Sequence, residues 1–169
     1  LSTSEITNKI RSKTQNSLKG IRAVPYYGCL LTRPLNISEA PDAENPCEID
    51  NIISACGAES VPWSYKTDCC GGPHTLSHPE LVETMSSKLL IKAVEWGADI
   101  IVTSCPMCHG SLDSTMWNMR RKKADTHLIP TLYVTELVGL CLNLEKQSQW
   151  LGCHLVDPRP LLRAKGVMR

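Results

Sequence analysis

Apolar residues along this chain form short β-branched runs that alternate with longer stretches of helical periodicity. The run Asp-Ile-Ile-Val-Thr-Ser at 99–104 is typical of a buried parallel strand. Weaker runs at 21–27, about 60–64 and 131–134 predict three further strands. Helices are predicted over 47–56, from a capping box at Ser77–Glu80 to Trp96, after Cys108 as far as Lys122, and over 136–144.

Strands that alternate with helices of these lengths predict an α/β fold, here a Rossmann-like domain with a roughly four-stranded parallel sheet flanked by helices. We assign that domain to residues 21–169, with a tail that contains an extended arm and a short helix. Residues 1–20 are predicted to be a helical linker or lead-in, since Ile6, Ile10 and Leu18 form only a thin apolar stripe. A solvated extension and a docking helix are both compatible with that stripe.

The amino-acid composition argues against several classes of function. The chain has 169 residues, of which 42% are hydrophobic, enough for the core of one ordinary domain. Eighteen Lys and Arg against seventeen Asp and Glu give a net charge of +1. The net charge therefore gives no strong positive potential that would attract nucleic acid or an acidic membrane surface. The longest apolar stretch, 128–142, is interrupted by Pro130 and Glu136, and no direct insertion into a membrane is expected.

Cysteine is the unusual residue, with nine copies in a chain that has no Phe. An odd number of cysteines and a polar N-terminal segment argue against a secreted disulfide framework. We therefore expect a cytoplasmic protein whose thiols bind metal or take part in catalysis.

Five of the cysteines follow predicted strands. Cys29 follows the first strand, Cys69 and Cys70 the second, and Cys105 and Cys108 the third. Because functional groups of an open parallel sheet gather outside the carboxyl ends of its strands, we expect these thiols to meet at one edge. The glycines at 71 and 72 leave the backbone there free to bring its N–H groups close to sulfur.

The number of converging thiols favours a centre larger than one ion. Zinc takes four ligands, and an ordinary cubane cluster also takes four cysteines. Either centre would therefore leave one of the five thiols unused. An irregular iron–sulfur cluster would use all five, whereas the spacing alone establishes only more than four sulfur ligands. A zinc site built from four of the thiols and a metal-free Cys105–Cys108 redox disulfide remain open, although the second leaves the adjacent Cys69 and Cys70 unexplained.

Longer segments around the cysteines resemble one family. The sequence is similar to the second half of the B subunit of heterodisulfide reductase, whose cysteine-rich CCG domain has the same cysteine pattern, and the resemblance covers residues 20 to 166. The segments that carry it are Tyr26–Pro34, Cys69–Gly72, Val102–His109, Tyr133–Gly139 and His154–Pro158.

The resemblance implies a cofactor and its ligands. In that family each CCG domain holds a non-cubane [4Fe-4S] cluster, and the matching ligands here are Cys29, Cys69, Cys70, Cys105 and Cys108. Two such domains face each other and cleave or form a disulfide between them, such as the coenzyme M–coenzyme B heterodisulfide of methanogenesis. Electrons arrive through a cubane iron–sulfur subunit from a flavin or cytochrome subunit. This chain has one motif, so the resemblance implies at most half of that substrate site.

Two histidines next to the motif are candidate proton donors. His109 follows Cys108, and His74 follows the adjacent cysteine pair, where either could donate a proton to a thiolate or hydrogen-bond it. Both could equally be surface loop residues. The other cysteines lie outside the motif, and Cys56 and Cys141 are expected to be small buried hydrophobic residues.

Three functions are compatible with these patterns. The first is an iron–sulfur oxidoreductase subunit that reduces or forms a disulfide within an electron-transfer complex. The second is a related subunit of a complex that oxidises succinate, lactate or glycerol phosphate, and the third is a zinc-stabilised interaction module. The segments 26–34 and 154–158 favour the disulfide family.

Overall fold

The computed structural model describes residues 3–38, 42–123 and 127–168, and its centre is a four-stranded sheet with every strand parallel to its neighbour. This confirms the predicted α/β class. The strands are β1 (Arg22–Tyr26), β2 (Glu59–Ser60), β3 (Ile100–Thr103) and β4 (Thr131–Tyr133). The described helices are α1 (Ser4–Lys13), α2 (Leu35–Ser38), α3 (Glu48–Ala55), α4 (Pro79–Glu95), α5 (Pro106–Lys122), α6 (Val134–Cys141), α7 (Gln147–Leu151) and α8 (Arg159–Ala164), with a 3₁₀ turn at Gly72–His74.

The strand order β2-β1-β3-β4 creates a crevice at one place on the sheet edge. From β1 the chain moves outward to β2 and then returns to the other side of β1 to form β3, where Val24 pairs with Ile101. Connections therefore diverge between the carboxyl ends of β1 and β3. In open α/β sheets this switch point is where binding sites form.

Each face of the sheet carries its own apolar core. One core joins α1, α3 and α6 to the sheet through residues such as Ile53 and Leu140. The other lies under α4 and α5, through Leu90, Leu112 and Met116, and it also contains Cys70, Cys105 and Cys108. Three of the motif cysteines are therefore part of the apolar core under α4 and α5.

The N-terminal segment is docked on the first core. Ile10 and Leu18 are buried, and the backbone N–H of Leu18 donates to the carbonyl of Cys56. The N–H groups of Gln15 and Asn16 both donate to the carbonyl of Cys141. Of the two interpretations of this segment, the structure has the docking helix. A domain boundary at residue 20 stays a prediction.

Several boundaries differ from the predictions. Helix α5 begins at Pro106, not after Cys108, because proline is favoured at the first helical position and the extended Cys105 acts as N-cap. The predicted capping box at Ser77 is wrong, since His78 is the N-cap of α4 and no side chain caps it. Strand β2 pairs over only two residues because the next N–H that β1 would donate to it belongs to residue 25, which is a proline and has none.

The C-terminal part of the chain also differs from prediction. It contains α8, the short helix expected in the tail, and also α7, which was not predicted. Helix α6 starts two residues earlier than predicted, directly after β4. Within the described ranges, no helix combines the length and the apolar character that a bilayer crossing requires.

Candidate metal centre

The five motif cysteines form a row of thiols along the carboxyl edge of the sheet. Cys29 and Cys69 are neighbours close enough to affect each other's charge, and Cys70 Sγ lies 3.6 Å from Cys108 Sγ. Cys108 also contacts the thiol of Cys105. The structure thus brings together side chains from the ends of β1, β2 and β3, as the strand-end rule predicted.

The row is too extended for one tetrahedral ion. Four sulfurs around a single zinc at about 2.3 Å would lie about 3.8 Å from one another. Across residues 3–38, 42–123 and 127–168, the cysteines do not supply a group of three sulfurs all within 4.8 Å of each other. Thiolate donors suit zinc, copper(I) and iron–sulfur clusters, and the spread of these thiols favours a centre with several metal atoms.

Backbone geometry near the adjacent cysteines aims N–H groups at sulfur. Gly71 has φ +79°, a conformation that favours glycine, and its N–H donates to Cys69 Sγ at 3.3 Å. The N–H of Gly72 donates to Cys70 Sγ, also at 3.3 Å. The approach of glycine N–H groups to sulfur was predicted from sequence, and it stabilises negative charge on both sulfurs.

The surroundings of Cys70 stabilise negative charge on its sulfur. Cys70 Sγ and Cys108 Sγ are hydrogen-bonded to each other, and this bond, with the Gly72 N–H, lowers the pKa of Cys70 to about 6 in spite of burial. The same bond and burial raise the pKa of Cys108 well above its ordinary value.

At the exposed end of the row, the pKa of Cys29 is raised by burial and by its neighbour Cys69. A positively charged centre would favour the thiolate form of all five cysteines.

Two hydroxyl groups next to the row were not identified from sequence as functional. The Tyr26 hydroxyl is buried and donates to the carbonyl of Asp68 at 2.6 Å, which fixes the loop before Cys69. Burial and the nearby thiols, Cys70 first, raise the pKa of Tyr26. Ser111 is buried one helical turn after Cys108, and its hydroxyl hydrogen-bonds to Cys70. Its i+3 position relative to Cys108 is the sequence signal that could have found it.

The structure places the two candidate histidines differently. His109 is half-buried in the first turn of α5, where its ring stacks on Tyr133 with centroids 4.2 Å apart and planes 9° apart. Its Nε2 lies 3.2 Å from Nδ1 of His154. Burial first, and then the charge of His154, lower the pKa of His109. His74 is exposed at the end of the 3₁₀ turn, with its ring 6.2 Å from that of His78.

His109, Asp113 and His154 are a second group of potential metal ligands, with donor atoms within 4.8 Å of one another. All three already have hydrogen-bond partners. The two carboxylate oxygens of Asp113 accept the backbone N–H groups of Leu155 and Val156 at 2.8 and 3.0 Å. His154 bonds His109 on one side and Glu136 on the other, at 2.9 Å. The geometry is that of a completed hydrogen-bond network.

The remaining cysteines lie away from the row. Cys56 and Cys141 are fully buried in the first core and contact each other, and burial raises the pKa of Cys56. This confirms that they are small buried residues. Cys47 and Cys153 are exposed.

Known proteins align with this chain over most of its length. The 8-methylmenaquinol:fumarate reductase membrane anchor subunit of Wolinella succinogenes is 26% identical over 153 residues, which are 90% of this chain and 54% of that protein. The B subunit of the ferredoxin:CoB-CoM heterodisulfide reductase of Methanosarcina mazei is 33% identical over 128 residues, 73% of this chain and 42% of that protein. A protein of Archaeoglobus profundus that is named for its likeness to the heterodisulfide reductase B subunit is 26% identical over 144 residues, 83% of this chain and 48% of that protein. This chain spans about half the length of these relatives.

The profile of the CCG cysteine-rich domain matches residues 23–113. That range contains all five cysteines of the row and ends at Asp113, the residue that accepts the N–H groups of Leu155 and Val156. The match covers more than half of the 169 residues. The chain therefore belongs to the CCG cysteine-rich domain family.

Proposed function

We propose that this chain is an iron–sulfur electron-transfer subunit, or part of one, in a heterodisulfide reductase-like complex. Its five motif cysteines, Cys29, Cys69, Cys70, Cys105 and Cys108, would hold a non-cubane [4Fe-4S] cluster. The observation that carries the proposal is the row of thiols from three strand ends, together with the Gly71 and Gly72 N–H groups aimed at two of the sulfurs.

The donor set fits such a cluster in both number and extent. Five soft donors exceed the four of a zinc ion or a cubane, and their spread exceeds the size of a single-ion site. The backbone N–H groups and the Tyr26 and Ser111 hydroxyls would offset the negative charge of thiolates and sulfides. When bound, the cluster would supply single electrons and an iron able to hold a substrate sulfur.

The chain's own residues would supply orientation and protons. Cleaving a disulfide produces two thiolates that need protons or hydrogen-bond donors. His109, beside Cys108, and His74, after the adjacent cysteines, are the groups proposed for that role. His109 is the better candidate because its ring is held in one position by Tyr133 and His154, whereas His74 is exposed.

The direct test is the metal content of anaerobically purified protein. We expect about four irons and four acid-labile sulfides per chain, with a paramagnetic signal that appears on oxidation and changes when thiol substrate is added. About one zinc with no sulfide would contradict the cluster and support the zinc-stabilised interaction module.

The second candidate function is electron transfer in a quinone-linked complex, such as one that oxidises succinate, lactate or glycerol phosphate. It is favoured by the similarity of 90% of the chain to a menaquinol:fumarate reductase subunit. The two functions differ in what changes the cluster signal. A response to a quinone analogue but not to thiols or disulfides would favour the quinone-linked complex.

Exposed apolar side chains surround the cysteine edge, and we propose that they bind a second CCG domain. They lie close in sequence to the motif cysteines, and we call them the apolar rim: Leu30, Leu31, Leu35, Ile37, Leu76 and Met107. The length of the relatives, about twice that of the matched part, supports a second domain as the occupant. A cubane iron–sulfur subunit and a flavin or cytochrome subunit are the other partners proposed, with a disulfide or thiol as substrate.

A charge on the apolar rim should weaken this association. Leu76 is fully exposed, so Leu76→Asp changes no packing within the chain. We expect about a tenfold or greater loss in affinity for the second CCG domain, measured by recovery of that domain with the tagged chain, and an unchanged iron content. Leu144→Asp is the matched control, because Leu144 is also exposed but follows the far end of α6. Equal losses in both variants would contradict a specific interface at the rim.

A further inference from the structure

A closed ring of contacts connects the cysteine-bearing helix to two other parts of the chain. His109 in the first turn of α5 bonds His154, and His154 bonds Glu136 in the first turn of α6. The second carboxylate oxygen of Glu136 accepts the backbone N–H of Tyr133 at 2.8 Å. The ring of Tyr133 stacks on His109, which closes the circuit.

A second contact holds the same segment to the same helix. Asp113, one turn after His109 on α5, accepts the N–H groups of Leu155 and Val156. Val156 is buried in the core that contains Cys70, Cys105 and Cys108. The segment after α7 is thus attached to α5 at two successive turns, and its attachment at the first turn runs through His154.

His154 is built into this position. Its side chain is 3% exposed, and both ring nitrogens have partners. The carboxylates that face it are Glu136 and, from α5, Asp113, and together they outweigh the effect of burial and raise the pKa of His154. An imidazole between a carboxylate and a second imidazole has one stable orientation, because turning the ring would break both bonds.

We propose that His154 is a positioning residue which, anchored by Glu136, holds the His109 ring against Tyr133 and so fixes the first turn of α5 that carries Cys105 and Cys108. This inference rests on the proposed function, because the fixed turn matters only if it holds two cluster ligands and a proton donor. The residues that do the positioning, Glu136 and His154, lie outside the range matched by the family profile.

The test compares His154→Gln, His109→Gln and the double variant. A glutamine amide can replace the Nε2–H that bonds Glu136 but leaves the Nδ1 contact with His109 unmade. We expect His154→Gln to keep its iron and its fold, and to shift the paramagnetic signal of the cluster in the same direction as His109→Gln. If His154 acts through His109, the double variant should shift the signal no further than His109→Gln alone.

Hydrogen exchange gives a second readout that does not depend on the cluster. The amide of His109 donates to the carbonyl of Cys105 within the first turn of α5. We expect peptides covering 105–113 to exchange about tenfold faster in His154→Gln than in the unsubstituted chain. His78→Gln is the matched control, because His78 also faces a glutamate, Glu80 at 3.6 Å, but does so at the surface. It should leave both readouts unchanged.

The outcomes separate this inference from the proposed function. Unchanged exchange in His154→Gln, or effects of the two single variants that add in the double variant, would overturn the positioning role. A protein without iron that still shows faster exchange in His154→Gln would contradict the proposed cluster and support the positioning role.

Discussion

Replacing Cys70 with alanine is expected to abolish the iron and sulfide content of the protein, from about four irons to fewer than one per chain. Cys70 lies in the middle of the row, 3% exposed, and contacts Cys108. Its sulfur also has hydrogen-bond donors around it, including the Gly72 N–H and the Ser111 hydroxyl. Its removal would leave these donors and the neighbouring thiols without their common partner.

Cys56→Ala is the matched control for this prediction. Cys56 is also buried, but it lies in the other core and contacts Cys141 instead of the row. Both substitutions delete one buried sulfur, and we expect each to lower the free energy of unfolding of the metal-free protein by about 1–2 kcal/mol. Only Cys70→Ala should lose iron, measured by metal and sulfide analysis. Equal iron contents in the two variants would contradict the assignment of Cys70 as a ligand.

The sheet and its cysteine edge could be predicted because their signals are local. The β-branched run at 99–104 and the alternation of strands and helices indicated a parallel sheet. Parallel strands have their carboxyl ends on one side, so cysteines that follow different strands had to share an edge. That step needed only the order of elements, and it was sufficient to bring Cys29, Cys70 and Cys105 together.

The ring around His154 could not be predicted because it depends on tertiary packing. His109 and His154 are 45 residues apart in sequence, and their contact requires the segment after α7 to return to the first turn of α5. From the sequence alone, Glu136 is the first residue of a predicted helix and a polar interruption of an apolar stretch. The early start of α5 has a local cause, because Pro106 favours the first position of a helix and so brings Cys108 into the helix instead of leaving it in a loop.

Gly28, which precedes the proposed ligand Cys29, is expected to be as important for iron binding as Cys29 itself. Gly28 has φ +63°, and a Cβ built on it would lie 2.9 Å from Cys108 Sγ and 3.6 Å from the Tyr26 hydroxyl. Cys108 is buried and has one side-chain torsion, so its sulfur can move only by leaving the row. Gly28→Ala should therefore remove most of the iron from the purified protein.

Gly166→Ala separates this contact from backbone strain. Gly166 has φ +72°, close to that of Gly28, but no atom lies within 4 Å of its Cβ position. Each alanine has to adopt a left-handed conformation, which costs roughly 1–2 kcal/mol, and urea unfolding of the metal-free proteins should show similar losses. In the metal-free Gly28 variant the Cys108 sulfur can rotate away, whereas a bound cluster would require it to stay. We thus expect the two metal-free variants to have comparable stabilities, and only Gly166→Ala to keep an iron content near that of the unsubstituted protein. Full iron content in both variants would mean that the cluster does not use the Cys108 sulfur in this position.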